Sequence, residues 1–271
     1  MTREDTEETL RRLGQAADDG FDLLEVALAC ALHEDPSRDA GPARAIVAEA
    51  AARLTEHGTG QRRDEVLAEV LAGELSFNGD LITYDHPAGA DLISVAERRK
   101  GLPVALGVFY IAAARRCGMP VSGVDFPGHF LLRVETDEGP VAIDPFSHGR
   151  LVLPSELTAR ALQAGLMPGV ADRLEELMKP VADRAVAIRL ENNIFARAAA
   201  RGDYPRAERS ALRRALIDPN DHRPWLDVAA AREGQGALAG ALQALAMAQT
   251  LDGDAAIAAR AQRERVRMKL N

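Results

Sequence analysis

Cysteine is nearly missing from this sequence: Cys30 and Cys117 are two residues among 271. Two isolated thiols supply neither a disulfide framework nor the paired spacing of a zinc site, and they point to reduced side chains in a reducing compartment. Aromatic residues are scarce as well, at 4%, although 47% of the chain is hydrophobic. Alanine makes up the difference, so the expected core is helix-rich and packed through small side chains. Long apolar runs are also lacking. The longest, Leu102 to Ala114, has thirteen residues against the roughly 20 needed to span a bilayer, and reads as a buried helix. The opening Met1-Thr-Arg-Glu-Asp-Thr-Glu-Glu has no apolar stretch of the kind an export signal needs. Together these features predict a cytoplasmic protein.

Positive charge is in deficit too. The net charge of −8 argues against nucleic acid as the main partner, because phosphate contacts need a basic surface. The deficit is uneven: from Arg184 onward 15 basic residues face 10 acidic ones, leaving 18 and 31 upstream. Either the solvated faces simply differ, or a basic tail docks on the acidic body or on an acidic protein partner.

What is present is mostly helical pattern. Residues 5–72 carry four apolar stripes: Leu10 to Ala17, Leu23 to Ala31, Pro42 to Leu54 closed by Gly58 and Gly60, and Arg63 to Leu71. A turn-rich stretch follows, with Asn78-Gly79 as its strongest turn signal. After the Leu102–Arg116 helix the period changes. Val121 to Val124, Phe130 to Glu135 and Val141 to Ile143 are short β-type runs. A hairpin-rich sheet after a buried helix makes the fold class α+β. Pro154 to Met178 returns to helix, interrupted at Gly165–Gly169. The tail repeats itself: Gly202 and Gly236, Tyr204 and Leu238, Ala207 and Ala241, and Asp218 and Asp252 each stand 34 residues apart. That is the period of a tetratricopeptide unit, whose two helices leave an apolar face for a neighbour.

The block that carries chemistry is Ser94 to Gly107, then Phe126-Pro-Gly-His-Phe-Leu-Leu-Arg133, then Ala142-Ile-Asp-Pro-Phe146. A helix start, a histidine opening a strand and an aspartate closing the next strand form the order of a Cys–His–Asp acyl-transfer site. The helix dipole lowers a thiol pKa, the histidine moves protons, and the aspartate orients its ring. Here the chain resembles the transglutaminase-like superfamily, and within it the bacterial SirB-type family, where such a domain precedes tetratricopeptide-like repeats. Phe77-Asn-Gly, Tyr84-Asp-His-Pro, Glu97-Arg-Arg-Lys-Gly-Leu-Pro, Phe126-Pro-Gly-His-Phe and Ile143-Asp-Pro-Phe carry the match, with Arg189-Leu-Glu-Asn-Asn193 and Arg201-Gly-Asp-Tyr204 in support. It covers roughly residues 60 to 270. Beyond the helices read over 1–75, expected to pack on the core, the resemblance implies a papain-like core with a small antiparallel sheet over 76–180 and all-α repeats over 184–271.

Residue by residue, the resemblance places His129 on the family's histidine and Asp144 on its aspartate. Counting back from Gly118 puts the cysteine at about Pro103, with Val104, Ala105 and Leu106 within slippage, and none of these has a nucleophilic atom. Cys117 lies fourteen residues beyond Pro103, roughly 21 Å along one helix at about 1.5 Å per residue, whereas acyl transfer needs hydrogen-bond reach. The sequence does not place Cys30. One arginine of the Arg98-Arg99-Lys100 run is expected either on a solvated face or forked to a carboxylate such as Asp85, Glu97 or Asp144. Arg133, four residues beyond His129 on a strand, is expected on the same side of the sheet and in the same cleft. No ligand spacing supports a metal at His86, His129 and His148, and nothing calls for a cofactor. The expectation is a non-catalytic interaction protein. The alternative is a cysteine-independent amidohydrolase or acyltransferase built on His129 and Asp144.

Overall fold

The structure, a computed structural model, describes residues 2–57, 62–250 and 254–270. Gly58, Gly60 and Asp252, which figured in the sequence patterns, lie outside the described residues, as does Met1. In chain order the elements are α1 (Arg3–Gly14), α2 (Leu23–Glu34), α3 (Gly41–Glu56), α4 (Arg63–Ala68), β1 (Asn78–Gly79), α5 (Leu92–Arg98), β2 (Lys100–Gly101) and α6 (Pro103–Arg116). There follow β3 (Val121–Val124), β4 (Leu131–Thr136), β5 (Gly139–Asp144), β6 (Arg150–Val152), α7 (Pro154–Gln163), α8 (Pro168–Ala171) and α9 (Leu174–Leu177). The chain ends in α10 (Asp183–Ala200), α11 (Tyr204–Ile217), α12 (Arg223–Gly234), α13 (Leu238–Ala248) and α14 (Asp254–Leu270). No helix among the described residues is long and apolar enough to cross a membrane.

Two compact units emerge. One is Leu23–Leu28 with Asp39–Val186, and the other is Met1–Asp22, Ala29–Arg38 and Ala187–Asn271. They do not follow the three sequence segments, because α1 packs against α11 while α3 packs against α6. An amphipathic stripe announces that a helix will be covered, but not by which partner.

In the first unit α6 is the organising element. Pro103 sits at its first turn, where a missing N–H is harmless, and every residue from Pro103 to Ile111 is buried. Glycine at position 107 lets α6 approach the sheet: a Cβ there would stand 2.4 Å from the Phe130 ring. The sheet is antiparallel in the order β3-β4-β5-β6. Asn78-Gly79 differs from expectation. It forms no turn but a two-residue strand, pairing in parallel with Lys100 and Gly101. Gly79 is glycine for want of space, since a Cβ would lie 2.5 Å from the Phe146 carbonyl oxygen. Asn-Gly pairs favour turns through backbone freedom, and here close approach claims the same residue.

In the second unit the 34-residue spacing is visible in the backbone. Gly202 and Gly236 both adopt positive φ, +71° and +75°. Asp203 N–H bonds to the Ala198 carbonyl and Ala237 N–H to that of Arg232, again 34 residues apart. Each pair ends one helix in the same left-handed turn and starts α11 or α13, in which Ala207 and Ala241 are both buried. The positive charge read in the tail is balanced within this unit, which by sequence holds 18 basic and 19 acidic residues. Glu34 meets Arg209 at 2.5 Å and Arg213 at 3.1 Å, and Glu191 meets Arg213 at 2.9 Å.

Candidate functional site

The sheet and α7 position the site. Asp144 closes β5, and its carboxylate is fully buried. Its Oδ1 lies 3.0 Å from His129 Nε2 and accepts the Phe146 N–H, also at 3.0 Å. Its Oδ2 accepts from Arg160 Nη2 on α7 and from the Ser147 hydroxyl, each at 3.1 Å. His129 does not open the strand. It stands in the turn before β4, where its N–H bonds the Phe126 carbonyl at 2.9 Å.

Burial by itself would raise the Asp144 carboxyl, but the bonds and charges of His129 and Arg160 outweigh it and hold the group at about 2. An ionised carboxylate can only accept, so His129 Nε2 donates. In the neutral ring the proton therefore sits on Nε2 and leaves a lone pair on Nδ1. Nδ1 has no hydrogen-bond partner among the described residues. The Tyr110 hydroxyl, buried on α6, also lacks a partner among them. The nearby Asp144 charge adds to the upward push that burial gives this phenol.

A second set of contacts braces the Asp144 turn. Gly79 N–H donates to the Phe146 carbonyl at 3.0 Å, and the Tyr84 ring meets Phe146 edge-on at 5.7 Å. The neighbouring Asp80 accepts from Thr83 N–H at 2.9 Å, the Thr83 hydroxyl at 2.5 Å and Arg98 Nη2 at 2.6 Å. Gly79, Tyr84 and the Ile143-Asp-Pro-Phe segment, scattered in sequence, thus meet at Phe146, and Arg98 joins them through Asp80.

Residues 43–192 match the family described as the transglutaminase-like superfamily. The chain belongs to this superfamily. The matched segment nearly coincides with the unit that holds His129 and Asp144. A UPF0162 protein of Xylella fastidiosa (strain Temecula1) is 32% identical over 240 residues, 86% of this chain and 85% of that protein. A UPF0162 protein of Vibrio cholerae is 31% identical over 146 residues, 52% of this chain and 54% of its own. F-box only protein 21 of Mus musculus is 38% identical over 64 residues, 24% of this chain but 10% of that much longer protein. No solved structure is significantly similar.

Within the transglutaminase-like domain, the other residues singled out by sequence fall in several places. Arg98 meets Asp80, a carboxylate outside the three considered, because the parallel β1–β2 pairing brings the start of the turn to the end of α5. Sequence offered a signal in Asp80 itself, directly after Asn-Gly. Arg99 ends α5 in the left-handed conformation, φ +57°. Its guanidinium lies 4.9 Å from the centre of the Phe77 ring, a cation–π contact that holds it as part of the scaffold. Asp85 is exposed in the following turn. Arg133 stands opposite Ala142 in the β4–β5 register, two residues before Asp144 on the same face of the sheet. Its guanidinium pairs with Glu135 at 2.6 Å and lines a cavity bounded by Ala142, Val152 and Leu157, whose lining does not include His129. His86 accepts from Ala88 N–H at 3.1 Å, and His148 sits in the 144–149 turn at φ +59°. These two and His129 do not form a group of side chains within reach of one metal ion; among the described residues His57, Glu69 and Glu74 do. Glu74 of that group already receives Arg53 at 2.6 Å.

A pH dependence follows for the domain. Asp144 and Asp80 both sit at about 2 in the folded chain against about 3.9 when unfolded. A depressed carboxyl contributes stability that is complete above the unfolded value and disappears as pH falls through the folded one. Stability is therefore expected to drop by about 2 kcal/mol for each such carboxylate between pH 5 and pH 2. Urea unfolding across that range measures it, and a midpoint unchanged down to pH 2 would contradict these bonds.

Proposed function

We propose that this chain is a non-catalytic, SirB-type member of the transglutaminase-like superfamily that acts as a protein-binding module. The observation that carries the proposal is the start of α6, where Pro103, Val104, Ala105 and Leu106 are buried and offer neither sulfur nor hydroxyl. Acyl transfer on amides needs a nucleophile within hydrogen-bond reach of its base. Cys117 caps the opposite end of α6, its Sγ 3.1 Å from the Ala114 carbonyl. Cys30 is buried, and burial together with the Glu191 charge pushes its thiol well up, which disfavours the thiolate. The second unit supplies the binding part of the proposal. Its 34-residue periodicity and paired glycine turns fit tetratricopeptide-like repeats, which present partner surfaces. Its near-balanced charge favours apolar contact over attraction to an acidic partner. Met247, Ile257 and Met268, at 46%, 68% and 73% exposure, are the apolar side chains this unit offers for such contact.

One observation favours a second reading, a cysteine-independent amidohydrolase or acyltransferase: His129 is held by Asp144 with Nδ1 open, the arrangement of a base ready to take a proton from water. One set of measurements separates the two. The full chain is expected to stay unlabelled by a probe of activated thiols at neutral pH. It should also capture its partner from the native cytosol with His129→Ala unchanged, and lose that capture with Met247→Glu, Ile257→Glu and Met268→Glu combined. Amide hydrolysis that disappears in His129→Ala would overturn the non-catalytic reading. Intact capture by the triple variant would remove the repeat surface from it.

A further inference from the structure

The sheet face that α7 covers holds a feature that neither His129 nor the repeats explain. Arg133, Ala142 and Val152 pair across β4, β5 and β6, so their side chains stand in a row on one face. Leu157 of α7 and Leu174 and Met178 from the segment beyond α8 close over that row. Alanine at the centre leaves the space unfilled, and a cavity of about 280 Å³ remains, walled almost wholly by hydrocarbon. The charged side chains at its edge are Arg133 and Glu175. Small-molecule sites have this composition: an apolar body with a few polar groups that fix orientation.

Arg133 determines the kind of ligand. Its Nε is held by Glu135 at 2.6 Å, which fixes the guanidinium plane. Nη1 reaches the Met178 carbonyl at a long 3.4 Å, and Nη2 has no partner among the described residues. The outer edge of the fork is therefore available, in the geometry that receives a carboxylate through two parallel N–H donors. At roughly 30 Å³ for each water-sized group, the cavity of about 280 Å³ takes about nine such groups, which accommodates an eight-carbon acid. Glu175 is an exposed acid on the rim, which disfavours a second negative charge on the ligand.

We propose that this cavity binds a medium-length aliphatic monocarboxylate, with its carboxylate on the Nη1–Nη2 edge of Arg133 and its tail against Ala142, Val152 and Leu157. The site is separate from the histidine pair and stands whether or not His129 is catalytic.

Isothermal titration of the full chain with octanoate, octanol and octylamine tests the proposal. Octanoate is expected to bind saturably, one per chain, about tenfold more tightly than octanol. Arg133→Gln should weaken octanoate by about the same factor and leave octanol unchanged. Ala142→Leu should weaken both by filling the floor, with circular dichroism confirming the fold. If that variant does not fold, the Arg133→Gln comparison alone decides. Octanol or octylamine binding as tightly as octanoate, octanoate binding unchanged in Arg133→Gln, or no saturable binding would each overturn the proposal.

Discussion

Arg213→Ala is expected to destabilise the unit that contains it by about 3–5 kcal/mol. Arg213 and Glu191 are each 1% exposed and 2.9 Å apart. Arg213 Nη1 also meets Glu34 at 3.1 Å, and the Ser210 hydroxyl donates to Glu191 at 2.8 Å. Burial by itself lowers the pKa of the guanidinium, but Glu191 and the neighbouring acids more than reverse this and raise it. Removing the arginine strands a buried carboxylate, and that stranded charge, rather than the worth of the pair, sets the size of the effect. Replacing both partners by methionine is therefore expected to recover about half of the loss or more, since hydrocarbon of similar volume leaves no charge to solvate. The fluorescence of Trp225, the single tryptophan and a residue of this unit, reports urea unfolding in each variant. A loss below about 1 kcal/mol in Arg213→Ala would mean that water reaches Glu191.

Asp144→Ala is expected to cost the transglutaminase-like domain about 3 kcal/mol, because it frees four donors at once. His129 Nε2, Arg160 Nη2, Phe146 N–H and the Ser147 hydroxyl all end on this one carboxylate. The loss should come with a change that a merely destabilised core does not produce. At pH 8 the His129 ring, now without its acceptor, is expected to redistribute its proton between Nδ1 and Nε2, visible in the nitrogen chemical shifts. Asp144→Asn keeps an acceptor oxygen and should lie between the two proteins in stability. An unchanged proton position in Asp144→Ala would show that something other than the carboxylate orients the ring.

Much of this was legible in the chain. The thirteen-residue apolar run announced α6, and Pro103 fixed its first turn. The change of period after Gly118 announced the sheet, with Val121–Val124 read to the residue. His129 and Asp144 were found through the family's motif order, and their bond places the two side chains together as that order implies. The chain itself, however, carries no mark that singles out Arg160, the second cation on Asp144, because an arginine in an exposed-looking helical stretch is indistinguishable from a solvated one. Nor does the chain mark Ser147, whose bond to Asp144 comes from a turn with His148 and Gly149 at positive φ.

By itself the sequence determined where most of the helices and strands lie and that glycine and alanine positions in the tail recur at a spacing of 34 residues. These are local properties, set by side-chain periodicity and backbone preference over a few residues. Tertiary structure decided the rest: that Asn78-Gly79 pairs as a strand, that Arg98 meets Asp80, that Arg133 borders a cavity, and that the acidic segments 1–22 and 29–38 share a unit with the basic tail and offset its charge. Each of these depends on contacts between residues distant in the chain, where close approach and burial override the preference that a short stretch expresses alone.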